Sequence, residues 1–194
     1  MVSVLEARFD RSSIAHLENT SAILLRKTKL SDTSLILTWL TDSHGKLKTV
    51  AKGARDAKSK FVGRLDLFFD CEISFARSRK SDLHTLREVV LREPYAGLRA
   101  EYERVSLAAF FIELIELVTE PEHAVPELSD LFRRALRHLD SNRATLRALE
   151  HFENELVRIL GIAQPQVSAC VAIGRAYHRV PSSRAELAKR LKSL

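Results

Sequence analysis

The sequence predicts an α+β chain with its strands first: a small closed five-stranded sheet, then a helical domain. Three observations carry this. Residues 20–92 hold five short apolar or alternating runs with no helical segment between them. Beyond Pro94 apolar residues recur instead at spacings of three and four. And the charge is segregated: between Lys46 and Arg64 seven cations face the single acid Asp56, a balance of +6 that equals the net charge of the whole chain.

Residues 1–19 form a polar lead, read as an N-terminal extension. Ser21–Thr28 and Ser34–Thr41 read as two strands joined by the turn residues Leu30-Ser31-Asp32-Thr33. Asp42-Ser43-His44-Gly45 is a short connection with glycine where a positive φ is needed. Leu47, Thr49 and Ala51 then alternate with Lys46, Lys48, Val50 and Lys52, which is strand periodicity with lysines on one face. A basic loop bracketed by Gly53 and Gly63 follows. Leu65–Ala76 reads as a fourth strand with a bulge, and Leu83–Leu91 as a fifth, joined by the polar turn Arg77–Asp82. Closing such a sheet removes the exposed edges that a free meander would carry.

In the helical part, the spacing predicts a helix over 98–118, a second over 127–139 and a third running to Leu160, with Ser141-Asn142 as its cap and Gly161 as its stop. A fourth is expected near 166–176. Ser183-Arg184-Ala185-Glu186 fits a capping box opening a terminal helix. The helix acids Glu113, Glu116, Glu150, Glu153 and Glu155 read as solvated faces.

Two cysteines, Cys71 and Cys170, stand a hundred residues apart. They suggest neither a disulfide framework nor a structural zinc site. There is no apolar run of membrane-spanning length and no signal-peptide core, so the chain is expected to be cytoplasmic, with no membrane partner. The seven histidines lie in no metal-ligand spacing, no phosphate-cradling glycine loop occurs, and no nucleophile elbow is present. The chain is therefore expected to be no enzyme and to need no cofactor or metal.

A pI near 9.5 and the concentrated charge point to a polyanion partner. Five antiparallel-type strands with a lysine-bearing strand and a long basic loop look like an OB-fold, which tracks phosphates in a basic groove and stacks bases on aromatics. The expected DNA-binding residues are Lys46, Lys48, Lys52, Arg55, Lys58, Lys60 and Arg64. Arg26, Arg77, Arg79 and Lys80 extend the track from neighbouring strands and turns. Trp39, Phe68, Phe69 and Phe75 read as core. Phe61, inside the basic loop, either stacks on a base or packs the loop down, and the sequence leaves both open.

The segments Ala22–Arg26, Leu40–Leu47, Val50–Arg55 and Lys58–Phe68 resemble, in order and spacing, the N-terminal domain of bacterial RecO recombination mediators. The pieces His44-Gly45-Lys46 and Ala51-Lys52-Gly53-Ala54-Arg55 carry most of that resemblance, and Phe152–Gly161 resembles a helix of the family's second part. The resemblance implies an OB-fold over 20–92 and a helical domain over 93–194. It also implies binding of single- and double-stranded DNA, annealing of complementary strands, recombinase loading on protein-coated single strands, and nucleoid association. Its implied partners are RecR and the C-terminal tail of the single-stranded DNA-binding protein. Many members complete a zinc site with Cys-x-x-Cys after the Leu-Gly helix. Here Cys170 stands alone, so no zinc is expected. The C-terminal part is also short for the family.

Two other readings differ in class. In one, the chain is a protein-interaction adaptor whose helical domain takes an acidic, apolar peptide in a groove, with Arg133, Arg134, Arg137, Arg158 or Arg175 supplying charge and DNA binding secondary. In the other, the same OB surface binds RNA without sequence preference.

Overall fold

The computed structural model describes residues 17–193. Five strands, β1 (Leu17–Lys29), β2 (Leu35–Thr41), β3 (Gly45–Ala51), β4 (Asp70–Ala76) and β5 (Leu83–Glu93), close a barrel in the order β1-β2-β3-β5-β4. All pairs are antiparallel except β3 with β5. This is the OB-fold expected from the sequence. The first strand is long because it serves two partners: Leu17–Ile23 pair with β4 and Ala22–Lys29 with β2, the register shifting between Leu24 and Arg26. That bulge turns the strand round the barrel's corner.

Alternation decides what lies inside. Leu47, Thr49 and Ala51 point inward from β3 as their spacing predicts, while Lys46 and Lys48 point out. The interior packs Leu24, Leu37, Trp39, Ile73, Phe75 and Leu86, and the Trp39 indole N–H donates to Thr49 Oγ1 at 2.9 Å. Cys71 is buried in this core, where burial raises its thiol pKa to about 12.

One expected strand region is a turn. Leu65–Phe69 does not extend β4, and Phe68 takes a left-handed backbone with φ of 70°. Its N–H donates to the Leu24 carbonyl at 2.9 Å, and the Leu24 N–H donates to Phe69 at 3.0 Å. The turn thus satisfies β1 where the bulge interrupts its ladder.

A short 3-10 turn (Ala96–Ala100) leads into α1 (Tyr102–Val118), α2 (Pro126–Ser141), α3 (Leu146–Ile159), α4 (Ala169–Tyr177) and α5 (Ser183–Lys192). Leu107, Ala108, Phe110, Phe111, Ile112, Leu114 and Ile115 are all buried on α1, so apolar groups cover most of its circumference. Two expected caps are not used. Helix α2 runs through Ser141, and α3 is capped by Thr145, whose Oγ1 accepts from Ala148 N–H at 3.1 Å. Ser183 lies within α5, and its hydroxyl donates to Glu113 at 2.8 Å instead of closing a capping box. Nor are the helix acids all solvated. Glu153 is 2% exposed and accepts two bonds from Arg184, at 2.6 and 2.7 Å, fastening α3 to α5.

Barrel and helices share a core. Ile23, Leu25, Leu40 and Phe68 face out of the barrel and pack with the α1, α2 and α3 residues in one apolar cluster. At the seam Arg133 of α2 donates through Nη1 to Asp42 at 2.7 Å and through Nε to Asp70 at 3.0 Å, and Ser129 Oγ donates to Asp42 at 2.6 Å. Burial pushes the Asp70 carboxyl above its ordinary range, against the pull of Arg133. Gly45, at φ of 62°, sits so close to the α1–α2 connection that a Cβ would lie 2.0 Å from the His123 carbonyl oxygen.

Two outcomes follow for stability. Arg133→Met leaves Asp70 buried without its partner and should cost about 3 kcal/mol. Calorimetry should show the melting temperature falling by roughly 10 °C. A fragment ending at 95 bares Ile23, Leu25, Leu40 and Phe68, and should melt well below the full chain with added dye-binding apolar surface. A fragment as stable as the whole would contradict the shared core.

Candidate nucleic-acid interface

The cations predicted to bind DNA fall into two sets. The first is spent on the protein itself. Lys46 turns its ammonium onto the C-terminal carbonyls of α1, donating to Glu116 O at 3.2 Å and Thr119 O at 2.7 Å. There it complements the negative end of the helix dipole, and burial lowers its pKa. Arg26 pairs with Glu116, its Nε donating at 3.0 Å. Arg77 bridges Glu18 at 2.9 Å and Glu122 at 2.6 Å. These three hold the barrel against the helices or close the barrel's end, so each already has partners within the protein.

The second set keeps its charge. Lys52, Lys58, Arg79 and Lys80 are exposed, with no side-chain partner among the described residues. Arg55 Nη1 donates to the carbonyls of Ser31 and Asp32 at 3.2 and 2.9 Å, holding the basic loop to the β1–β2 turn. Lys60 Nζ donates to Arg87 O at 2.5 Å, and Arg64 Nη1 to Val89 O at 3.3 Å. Backbone carbonyls position these groups without neutralising them, which leaves their remaining N–H donors for phosphate oxygens. Lys48 lies between the sets, 3.6 Å from Asp82 and half exposed.

Phe61 is resolved. It is 3% exposed and packs in the barrel interior, where it anchors the loop and presents no ring face to solvent. Lys60 passes over the outer side of its ring, 5.1 Å from the centroid. The anchor gives the loop order: successive turns run from Gly53 to Arg64, with Asp56, Ser59, Val62 and Arg64 N–H each bonded three residues back. The basic loop bracketed by glycines is a coiled one, pinned near its C-terminal end.

Beside it lies a groove of about 380 Å³ walled by Lys60, Arg64 and Arg87, with Glu88 its one acid. The sequence reading missed Arg87. Its place in a strand between Leu86 and Glu88 gives no charge run to notice, and only the ladder brings it beside the loop.

A second groove, of about 640 Å³, opens between α2 and α3. Phe111, Leu131, Leu139 and Phe152 line it with apolar surface, and Arg134, Arg143, Arg147, His138 and His151 line it with polar groups; no carboxylate lines it. Of the arginines expected near such a groove, Arg134 lines it. Arg133 is at the seam, Arg158 pairs with Glu155, Arg175 bonds Gln164, and Arg137 is exposed elsewhere on α2. Arg143 and Arg147 were missed, although a signal existed: both sit at the N-terminal end of α3, where the helix dipole disfavours cations and the first turn holds no acid.

Cys170 is half-buried on α4, and no cluster of three or more His, Cys, Asp or Glu suited to a metal occurs among the described residues. A lone thiol does not fit the zinc site that the resemblance implies for many members. No helix among the described residues is long and apolar enough to cross a membrane.

Known proteins resemble this chain in both parts. Residues 16–95 match the family described as Recombination protein O N terminal, and residues 99–186 match Recombination protein O C terminal. The chain is 32% identical over 154 residues to the DNA repair protein RecO of Rhodopirellula baltica, covering 79% of this chain and 57% of that protein. It is 32% identical over 155 residues to the RecO of Desulfatibacillum aliphaticivorans, with 78% and 59% covered, and 31% identical over 157 residues to that of Bifidobacterium longum, with 79% and 64% covered. The matched region is less than two thirds of the length of each of these relatives. With both halves matched in order along one chain, and an OB barrel followed by helices as the resemblance implies, the protein belongs to the recombination protein O family.

Proposed function

We propose that the chain is a DNA-binding mediator of repair and recombination that anneals complementary strands and assists recombinase loading on protein-coated single strands. The observation that carries this is the unneutralised set Lys52, Arg55, Lys58, Lys60, Arg64, Arg79 and Lys80, joined by Arg87. The first five stand on one pinned loop whose only acid is Asp56, and the groove at that loop brings in Arg87. A protein surface of one sign raises the local concentration of the opposite charge and exchanges condensed counterions for its own cations. Annealing asks for no catalytic group, only lowered repulsion between two phosphate backbones. The family relationship supplies the context, since the relatives named above are DNA repair proteins.

The groove between α2 and α3 supports the partner half of the proposal. Its apolar lining and arginines suit the acidic, apolar C-terminal tail of a single-stranded DNA-binding protein. The N-terminus of α3 adds its own positive potential there. RecR, the other partner the resemblance implies, is retained as a partner of the whole protein without an assigned surface. The setting is the cytoplasm, at the nucleoid.

Four measurements test these assignments. With about six phosphates engaged, log Kd against log salt should have a slope magnitude of about 4 on single strands and about 5 on duplex. A flat dependence would end the electrostatic account. The double reversal Lys58→Glu with Lys60→Glu should weaken binding by roughly tenfold or more, and equally for unrelated sequences, because phosphate contacts carry no sequence information. Lys46→Met, by contrast, should lower stability by about 1 kcal/mol and leave DNA affinity unchanged. Equal losses of affinity from both changes would put Lys46 back in the interface. Finally, Arg143→Glu with Arg147→Glu should abolish binding of an acidic, apolar-ended peptide in a titration while DNA affinity holds. Loss of DNA binding there would favour a helical-domain site.

A further inference from the structure

OB-folds that grip single strands stack bases on aromatic side chains, a sequence-tolerant contact made to the base faces themselves. This barrel has buried its aromatics, Trp39, Phe61 and Phe75 in its interior and Phe68 against the helices. The Trp39 ring nitrogen is already bonded to Thr49, and the Phe75 ring stacks on His84 with centroids 5.4 Å apart. Phe69 is half-buried, with the Arg99 guanidinium over its ring at 5.4 Å. The strongly exposed aromatic among the described residues, Tyr102, stands at the start of α1 under Arg190, at 5.0 Å.

The outer face of β1, β2 and β3, where an OB-fold would carry its stacking platform, is built otherwise. The paired rows across the three strands are Arg26, Thr38, Lys48 and Thr28, Ile36, Val50. The next row, Ile23, Leu40, Lys46, lies under the helices. These rows offer cations, hydroxyls and aliphatic groups, and none offers an aromatic ring to a base.

Resting on the DNA-binding reading above, we propose that the surface holds a DNA strand through its phosphates alone and leaves the bases unstacked on protein and free to pair. The site therefore distinguishes neither sequence nor the presence of a base. It delivers a strand in the state that annealing consumes, with the pairing edges open. It also accepts a duplex, whose phosphates present the same charge and whose bases are already withdrawn.

The test compares three probes on the full chain by fluorescence anisotropy: a mixed-sequence single strand, a wholly abasic strand of equal length, and a duplex of that length. The abasic strand should bind within about twofold of the mixed strand, since phosphate contacts are unaffected by base removal. Trp39, the only tryptophan, should keep its emission on binding, because no base reaches it. An abasic strand bound more than about tenfold weaker would overturn the inference, for stacking of even one or two bases gives a loss of that size. In that case the DNA-binding reading would stand. Absence of binding to all three probes would overturn both.

Discussion

The buried fork of Arg133 is the interaction on which the rest of the arrangement depends. One guanidinium on α2 reaches two carboxylates of the barrel, Asp42 in the β2–β3 turn and Asp70 at the start of β4. A buried ion pair stabilises little against an apolar replacement of its own shape, but leaving one partner alone is costly. Its stronger consequence is geometric. The planar fork fixes α2 against two separate points of the barrel, and a shifted α2 would strand a carboxylate. With α2 placed, its groove with α3 and the β2–β3 turn are placed too, and the α1–α2 connection closes over Gly45.

That placement sorts the cations. Lys46 and Lys48 stand on the same face of one strand, two residues apart, and their alternation treats them alike. The end of α1 arrives over the first and not the second, so one ammonium caps a helix and the other remains half exposed. Arg26 and Arg77 meet acids in the same way. Helical packing thus withdraws positive charge from one side of the barrel, and the exposed charge gathers on the 52–64 loop, the β4–β5 turn and Arg87. The charge segregation visible along the chain is sharpened in space by removal as much as by accumulation.

How much of this the sequence disclosed follows the range of the interactions involved. Strand alternation is local, and the five strands, the inward Leu47, Thr49 and Ala51, and the break at Pro94 were legible from neighbours alone. The roles of Lys46 and Phe61 were not. Lys46 is settled by carbonyls 70 and 73 positions away, and Phe61 by a barrel interior whose volume no local pattern states. Leu65–Phe69 carries strand-like composition, yet the bulge in β1 needs backbone partners, and a turn supplies them. Glu153 looks like any helix acid until α5 brings Arg184 to it. Arg143 and Arg147 show the opposite case. Arg147 in the first turn of α3, with Arg143 just before its cap, stands at the end of a helix dipole that disfavours cations, which was a readable anomaly.

Buried aromatics and an exposed cationic loop are two sides of one economy in a small barrel. With roughly seventy residues, such a barrel has few large side chains to fill its interior, and with Trp39, Phe61 and Phe75 placed there the described outer face of β1, β2 and β3 carries no aromatic ring. Stacking would in any case work against annealing: a base held on an aromatic must leave it before it can pair, and each such contact adds to the barrier. Phosphate contacts impose no such cost, because pairing leaves the backbone charges in place. A surface that grips only phosphates therefore lets its strand pair without first letting go.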